Sequence, residues 1–93
     1  MIQHIDNEQA AGYQFPCHYA VKAMGLNTSN FQARVISLVE LHTGPIQPSQ
    51  VNTKPSRSER YLSVTVNIQA QSRAQLDAIY QDLTDDEYVL MRL

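Results

Sequence analysis

Arg60-Tyr61-Leu62-Ser63-Val64-Thr65-Val66-Asn67-Ile68-Gln69-Ala70 alternates apolar and polar residues over a full strand length. Successive side chains on a strand point to opposite faces. Leu62, Val64, Val66 and Ile68 therefore share one side, while Tyr61, Ser63, Thr65 and Asn67 share the other. The first row is a core face, and the second is built to meet water or a partner.

Working outward from this strand, Pro55-Ser56-Arg57-Ser58-Glu59 reads as a turn, preceded by a weaker extended stretch from Ile46 to Pro55. Pro48 in that stretch has no amide hydrogen to give to a ladder, so it is expected to form an edge strand or an irregular segment. Downstream, Ser72 with Gln75 spells a capping box, and Leu76, Ile79, Tyr80 and Leu83 recur at i, i+3, i+4 and i+7. A helix is predicted there, ended by Asp85 and Asp86. Glu87 to Leu93 alternates Val89, Met91 and Leu93 against Tyr88, Leu90 and Arg92, a closing strand.

Upstream, Cys17 to Met24 alternates Tyr19, Val21 and Ala23 against His18, Ala20 and Lys22, a first strand broken by Gly25. Ser29 with Gln32 suggests a second capping box, opening a helix over Phe31, Val35, Leu38, Val39 and His42. Gly44 and Pro45 stop it, the glycine by accepting a left-handed backbone. Met1 to Gln14 is polar, with isolated Ile2 and Ile5, and is expected to be a mobile arm before a single domain over 15–93.

The order βαββαβ is that of a ferredoxin-like α+β domain, with the first and third strands central and the second and fourth at the edges. Right-handed crossovers put both helices on one face of a four-stranded antiparallel sheet. The other face is left open.

Composition narrows the function classes. The 93 residues suffice for one core, burying roughly two-thirds of the unfolded chain's surface. Seven Lys and Arg against nine Asp and Glu give a net charge of -2, with no general attraction for a polyanion. A lone cysteine, Cys17, cannot form an internal bridge, and no apolar run approaches the roughly 20 residues that span a bilayer. A cytoplasmic protein without membrane, metal or cofactor requirement is expected.

Gln14-Phe15-Pro16-Cys17, Val21-Lys22-Ala23-Met24-Gly25, Lys54-Pro55-Ser56 and Tyr61 to Ile68 stand in an order that resembles the YbeD-like family of small bacterial proteins. The likeness runs from about Phe15 through Val89-Leu90-Met91-Arg92-Leu93, whereas Met1 to Tyr13 departs from it. The resemblance implies a ferredoxin-like fold similar to ACT-type regulatory domains, and a link to lipoate metabolism suggested by gene neighbourhood. It carries over no catalytic residues.

Catalytic patterns are weak. Cys17 and His18 are strand neighbours that point apart, so they do not readily share a metal ion, and zinc sites need three or four convergent ligands. Cys17 lacks an obvious base. His42 suits the negative end of its helix. Asp82, Asp85, Asp86 and Glu87 read as a wet turn rather than an acid-base pair. An RNA-recognition domain of this fold would show more outward aromatics than Tyr61 and a glycine-aromatic signature. An acylphosphatase-like loop would need an arginine absent from Met24 to Ser29.

What remains is a non-enzymatic regulatory or interaction module. Its expected interaction face is Lys22, Tyr61, Ser63, Thr65 and Asn67. As ACT-type resemblance implies a small ligand near the loop after the first strand, candidate ligand residues are Gly25, Asn27 and Thr28. Gly25 would permit close approach, and the helix N-terminus would favour an anion. Lys54 and Arg57, with Arg60, could grip a phosphate or carboxylate beside Ser56 and Ser58, although a plain solvated hairpin explains them as well. The expected partner is a protein or small molecule, with a homodimer among the assemblies open to it. The alternatives are an enzyme or enzyme subunit using Cys17 or His42, and a weak RNA binder.

Overall fold

The computed structural model describes residues 14–92. The expected arm therefore lies almost wholly outside the described residues, as does Leu93. The elements follow the βαββαβ order: β1 Cys17–Leu26, α1 Phe31–Thr43, β2 Val51–Pro55, β3 Tyr61–Ala70, α2 Arg73–Asp85 and β4 Met91–Arg92. All neighbouring strands are antiparallel, in the spatial order β2-β3-β1-β4, the ferredoxin-like arrangement.

The long pairing of β1 with β3 organises the domain. It runs from Cys17↔Ala70 to Leu26↔Tyr61, and places Val21 opposite Val66 and Ala23 opposite Val64. Residues directly opposite each other share a face, so the two apolar rows fuse into one floor. Phe31, Val35 and Val39 of α1 and Leu76, Ile79, Tyr80 and Leu83 of α2 close over it, all buried. Both helices thus cover one face. Tyr19 meets the Tyr80 ring edge-on, with centroids 6.4 Å apart.

Four local expectations need correction. Gly25 does not break β1, because it pairs with Leu62 and the strand continues to Leu26. A Cβ at Gly25 would lie 2.4 Å from both the Phe31 ring and the Tyr88 carbonyl oxygen. Its smallness is needed for packing inside the strand, rather than for a turn. Ser29 and Gln32 form no capping box: the N-cap of α1 is Asn30, which makes no side-chain cap bond. Burial of Phe31 over Gly25 fixes this helix start without a polar cap.

Pro48 is not in the second strand. Pro48–Gln50 forms a single 3₁₀ turn, and β2 begins only at Val51, which leaves a short edge strand. The closing strand also starts later than its alternation suggested: among the described residues only Met91 and Arg92 are laddered, opposite Met24 and Ala23. Val89 N–H is held within the preceding turn by Asp86 O at 3.2 Å, and Leu90 N–H reaches Met24 O of β1 at 2.8 Å just before the ladder starts.

Other expectations match the structure. Ser72 caps α2, its hydroxyl accepting from the Gln75 amide at 3.1 Å, while the Gln75 side chain accepts from the Gln71 amide at 2.7 Å. Gly44 ends α1 with φ 82°, although ψ of -171° makes it extended rather than left-handed helical. This is a conformation that side-chain-bearing residues avoid.

Candidate functional site

The expected ligand residues are not gathered round one cavity. Gly25 is enclosed beneath Phe31, so its open side already holds protein. Asn27 binds the neighbouring hairpin: its amide donates to Arg60 O at 2.9 Å and its side chain to Glu59 O at 3.0 Å. Thr28 turns instead to a cleft on the helix side. Lys54 stands opposite Ser63 on β3, while Arg57 sits at the exposed hairpin tip.

Within that hairpin the serines are already committed. Ser56 accepts from the Tyr61 amide at 3.1 Å, and Ser58 from the Arg60 amide at 3.3 Å. Arg60 lies 5.7 Å from the centre of the Tyr61 ring. Of the hairpin's cations, Lys54 and Arg57 have no ion pair or ring contact among the described residues.

The cleft is a feature that sequence reasoning missed. It has a volume of about 670 Å³ and opens between the first half of α1 and the segment 87–90, lined by Leu26, Phe31, Arg34, Tyr88 and Leu90 among others. Arg34 donates through Nε to Asp86 Oδ2 at 2.7 Å and sits 4.4 Å from the Tyr88 ring centre. Asp86, whose side chain is only 6% exposed, also accepts from the Tyr88 amide at 2.8 Å. One carboxylate thus joins the α1 start, the α2 end and the wall of the cleft. A guanidinium has five N–H donors in a planar fork, so Arg34 retains capacity beyond this pair. Glu87 also lines the cleft, so its wall carries both signs of charge.

The second surface is the open side of the sheet. Register puts Ala20, Lys22, Met24 and Leu26 of β1 on it, opposite Asn67, Thr65, Ser63 and Tyr61 of β3. Asn52 and Lys54 of β2 and Met91 of β4 extend the same face. Leu26 is 48% exposed and Met91 46%. The expected face residues Lys22, Tyr61, Ser63, Thr65 and Asn67 therefore share one side, with Asn67 bonded to Gln50 at its margin. Its side chain donates to Gln50 O at 3.3 Å, and its carbonyl accepts from the Gln50 side chain at 2.9 Å.

The residues named for an enzyme do not form a described constellation. His42 Nε2 meets Asp82 Oδ2 at 2.6 Å, joining the two helices, and the His42 carbonyl accepts from Gln75 at 2.9 Å. Cys17 is a half-buried free thiol packed against the core. Among the described residues, no three His, Cys, Asp or Glu side chains converge as metal ligands. No described helix is long and apolar enough to cross a membrane.

Known proteins share this chain and fold. A UPF0250 protein from Ruthia magnifica subsp. Calyptogena magnifica is 41% identical over 73 residues, covering 78% of this chain and 79% of its own. The UPF0250 protein NE1487 of Nitrosomonas europaea is 38% identical over 80 residues, covering 86% and 92%. The solution structure of protein HP0495 from H. pylori superposes with a TM-score of 0.68 over 87% of this chain and 85% of that one. At 17% identity, this last likeness concerns the fold alone. Residues 10–93 match the family described as protein of unknown function (DUF493), and the chain belongs to that family of small bacterial proteins, the one to which its YbeD-like sequence pieces pointed.

Proposed function

We propose that the protein is a non-catalytic interaction module whose working surface is the open face of the sheet and the adjoining β4 rim. The observation that carries this reading is the exposure of Met91, opposite Met24, on a sheet face that neither helix covers, with Leu26 exposed at its end where it also borders the α1 cleft. Apolar surface gathered on an otherwise polar face favours association, because covering it removes water from hydrocarbon. Retention of partners from a native cell extract tests the reading. Ser63→Arg, which plants a long side chain in the middle of the face, should lose partners that Gln81→Arg on the exposed side of α2 retains. Equal retention by both variants would overturn it.

A second reading is favoured by the Arg34 cleft: a small carboxylate or phosphate ligand with an apolar body binds there and regulates the module. Ligand at 100 times its dissociation constant stabilises a protein by about 2.7 kcal/mol. A thermal-shift panel of such metabolites should therefore contain a clear hit that Arg34→Ala abolishes. A panel that moves nothing counts against this reading.

The catalytic alternative depends on Cys17 or His42. Alkylation of Cys17 at neutral pH no faster than free cysteine removes its nucleophile.

A further inference from the structure

We infer that the open face receives an acidic protein segment bearing apolar side chains, with carboxylates over Lys22 and Lys54 and apolar groups against Met24, Leu26 and Met91. This rests on the open-face reading above and specifies its partner. It follows from how the charges are sorted between the two sides of the molecule.

No described strand contains an aspartate or glutamate. Glu40 lies on α1, Asp77, Asp82 and Asp85 lie on α2, and Asp86 and Glu87 follow it, so the helical layer collects acidic groups. The arginines of that layer are neutralised locally. Arg34 pairs with Asp86 at 2.7 Å and Arg73 with Asp77 at 3.6 Å. Lys22 and Lys54, by contrast, are exposed on the open face and make no ion pair among the described residues. A chain with net charge -2 therefore presents a face whose only full charges, among the described residues, are positive.

The arrangement of that face selects the form of the partner. Lys22 stands opposite Thr65 and Lys54 opposite Ser63, so a hydroxyl-bearing residue is the cross-strand neighbour of each lysine. Met24, the next open-face position along β1 from Lys22, faces Met91. Charge and apolar surface thus adjoin along β1, with Leu26 beyond Met24. Methionine adapts its shape to different apolar groups. Carboxylates matched to the lysines would give register and rate, while apolar contact would supply binding energy.

Other occupants fit less well. A second copy docked face to face would add two more lysines and, among the described residues, no strand carboxylate to offset them. Single-stranded nucleic acid needs stacking platforms, yet among the described residues Tyr61 and His18 are the face's only rings, they stand at opposite ends of the β1–β3 pairing, and Arg60 already lies on the Tyr61 ring. The acidic helical layer also opposes long-range attraction of a polyanion. A short acidic segment held on the face interacts within the screening length of about 8 Å at physiological salt.

The test is an NMR titration of the isotopically labelled full chain with three probes. Two are short synthetic peptides that share leucine and phenylalanine positions but carry glutamate or lysine between them; the third is a uridine-rich RNA oligomer. The glutamate peptide should shift the amides of Lys22, Met24, Ser63 and Thr65, and bind at least about tenfold more tightly than the lysine peptide. Lys22→Glu with Lys54→Glu, both at exposed positions, should reverse that preference without unfolding the domain.

A lysine peptide that binds the face equally well or better would overturn the acidic-partner inference and leave the open-face reading standing. Tighter binding of RNA to the face would replace the protein segment with nucleic acid. Concentration-dependent self-association that broadens the same amides would assign the face to a second copy. If every probe leaves the face unshifted, or shifts only the helices, both the inference and the reading beneath it fail.

Discussion

Along β3, Val64 and Val66 are fully enclosed, whereas Ser63, Thr65 and Asn67 between and beside them keep part of their surface. The same ten-residue strand therefore belongs to two environments. Two amphipathic helices seal its apolar side, and nothing described seals the other. The contrast shows why this fold separates stability from recognition. Side chains on the helix side hold the domain together, and those on the open side can change with a partner at little structural cost.

Charge substitution at adjacent positions is the strongest attempt to break that contrast. Val64→Asp would bury an unpaired carboxylate in the floor of the core and should cost more than about 4 kcal/mol, enough to unfold a small domain. Thr65→Asp, one residue along, should cost within about 1 kcal/mol. Chemical denaturation followed by circular dichroism measures both. Similar losses at the two positions would mean that the open face is structural after all.

Overpacking comes next. Gly25→Ala puts a Cβ against the Phe31 ring and a backbone oxygen at Tyr88. Backbone cannot swing aside as a side-chain tip can, so a loss of about 1–3 kcal/mol is expected. A neutral outcome by thermal unfolding would show that α1 and the 87–90 segment adjust freely over β1.

Asp86→Ala sharpens the comparison at the boundary between the two layers. It removes the Arg34 pair and the bond from the Tyr88 amide together. Because Arg34 is half exposed and can rehydrate, the expected loss is about 1–2 kcal/mol. Faster amide exchange concentrated in 87–90 and the first turn of α1 would identify that carboxylate as the tie between them. Uniform acceleration through the domain would not.

The smallest effect compares the two helix starts. Ser72→Ala should cost about 1 kcal/mol through loss of the cap to Gln75, while Asn30→Ala, where no cap bond is made, should cost only a few tenths. Thermal unfolding of the two variants separates these mechanisms. Equal losses would mean that Asn30 caps α1 in solution.

Much of the fold was legible because alternation and helical periodicity are local records of burial. Leu62 to Ile68 and Leu76 to Leu83 declared their faces without knowledge of neighbours. Less of the candidate site was legible. Lys22, Tyr61, Ser63 and Thr65 could be assigned to one side by parity alone, and register confirms it. Arg34 and Tyr88 could not be linked, because the Asp86 carboxylate that joins them lies 52 positions from Arg34. Gly25 was misjudged for a similar reason: a glycine that yields space to a ring looks, in sequence, like a glycine that turns the chain.

By itself, the sequence determined the succession of elements, the apolar side of each central strand and the stripes of both helices, since these depend on residue spacing within a segment. Tertiary structure alone decided where β1 ends and β4 begins, which helix start lacks a polar cap, and how the Asp86 carboxylate ties Arg34 to the segment 87–90. Those outcomes depend on contacts between segments distant along the chain, where packing and hydrogen bonding outweigh local preference.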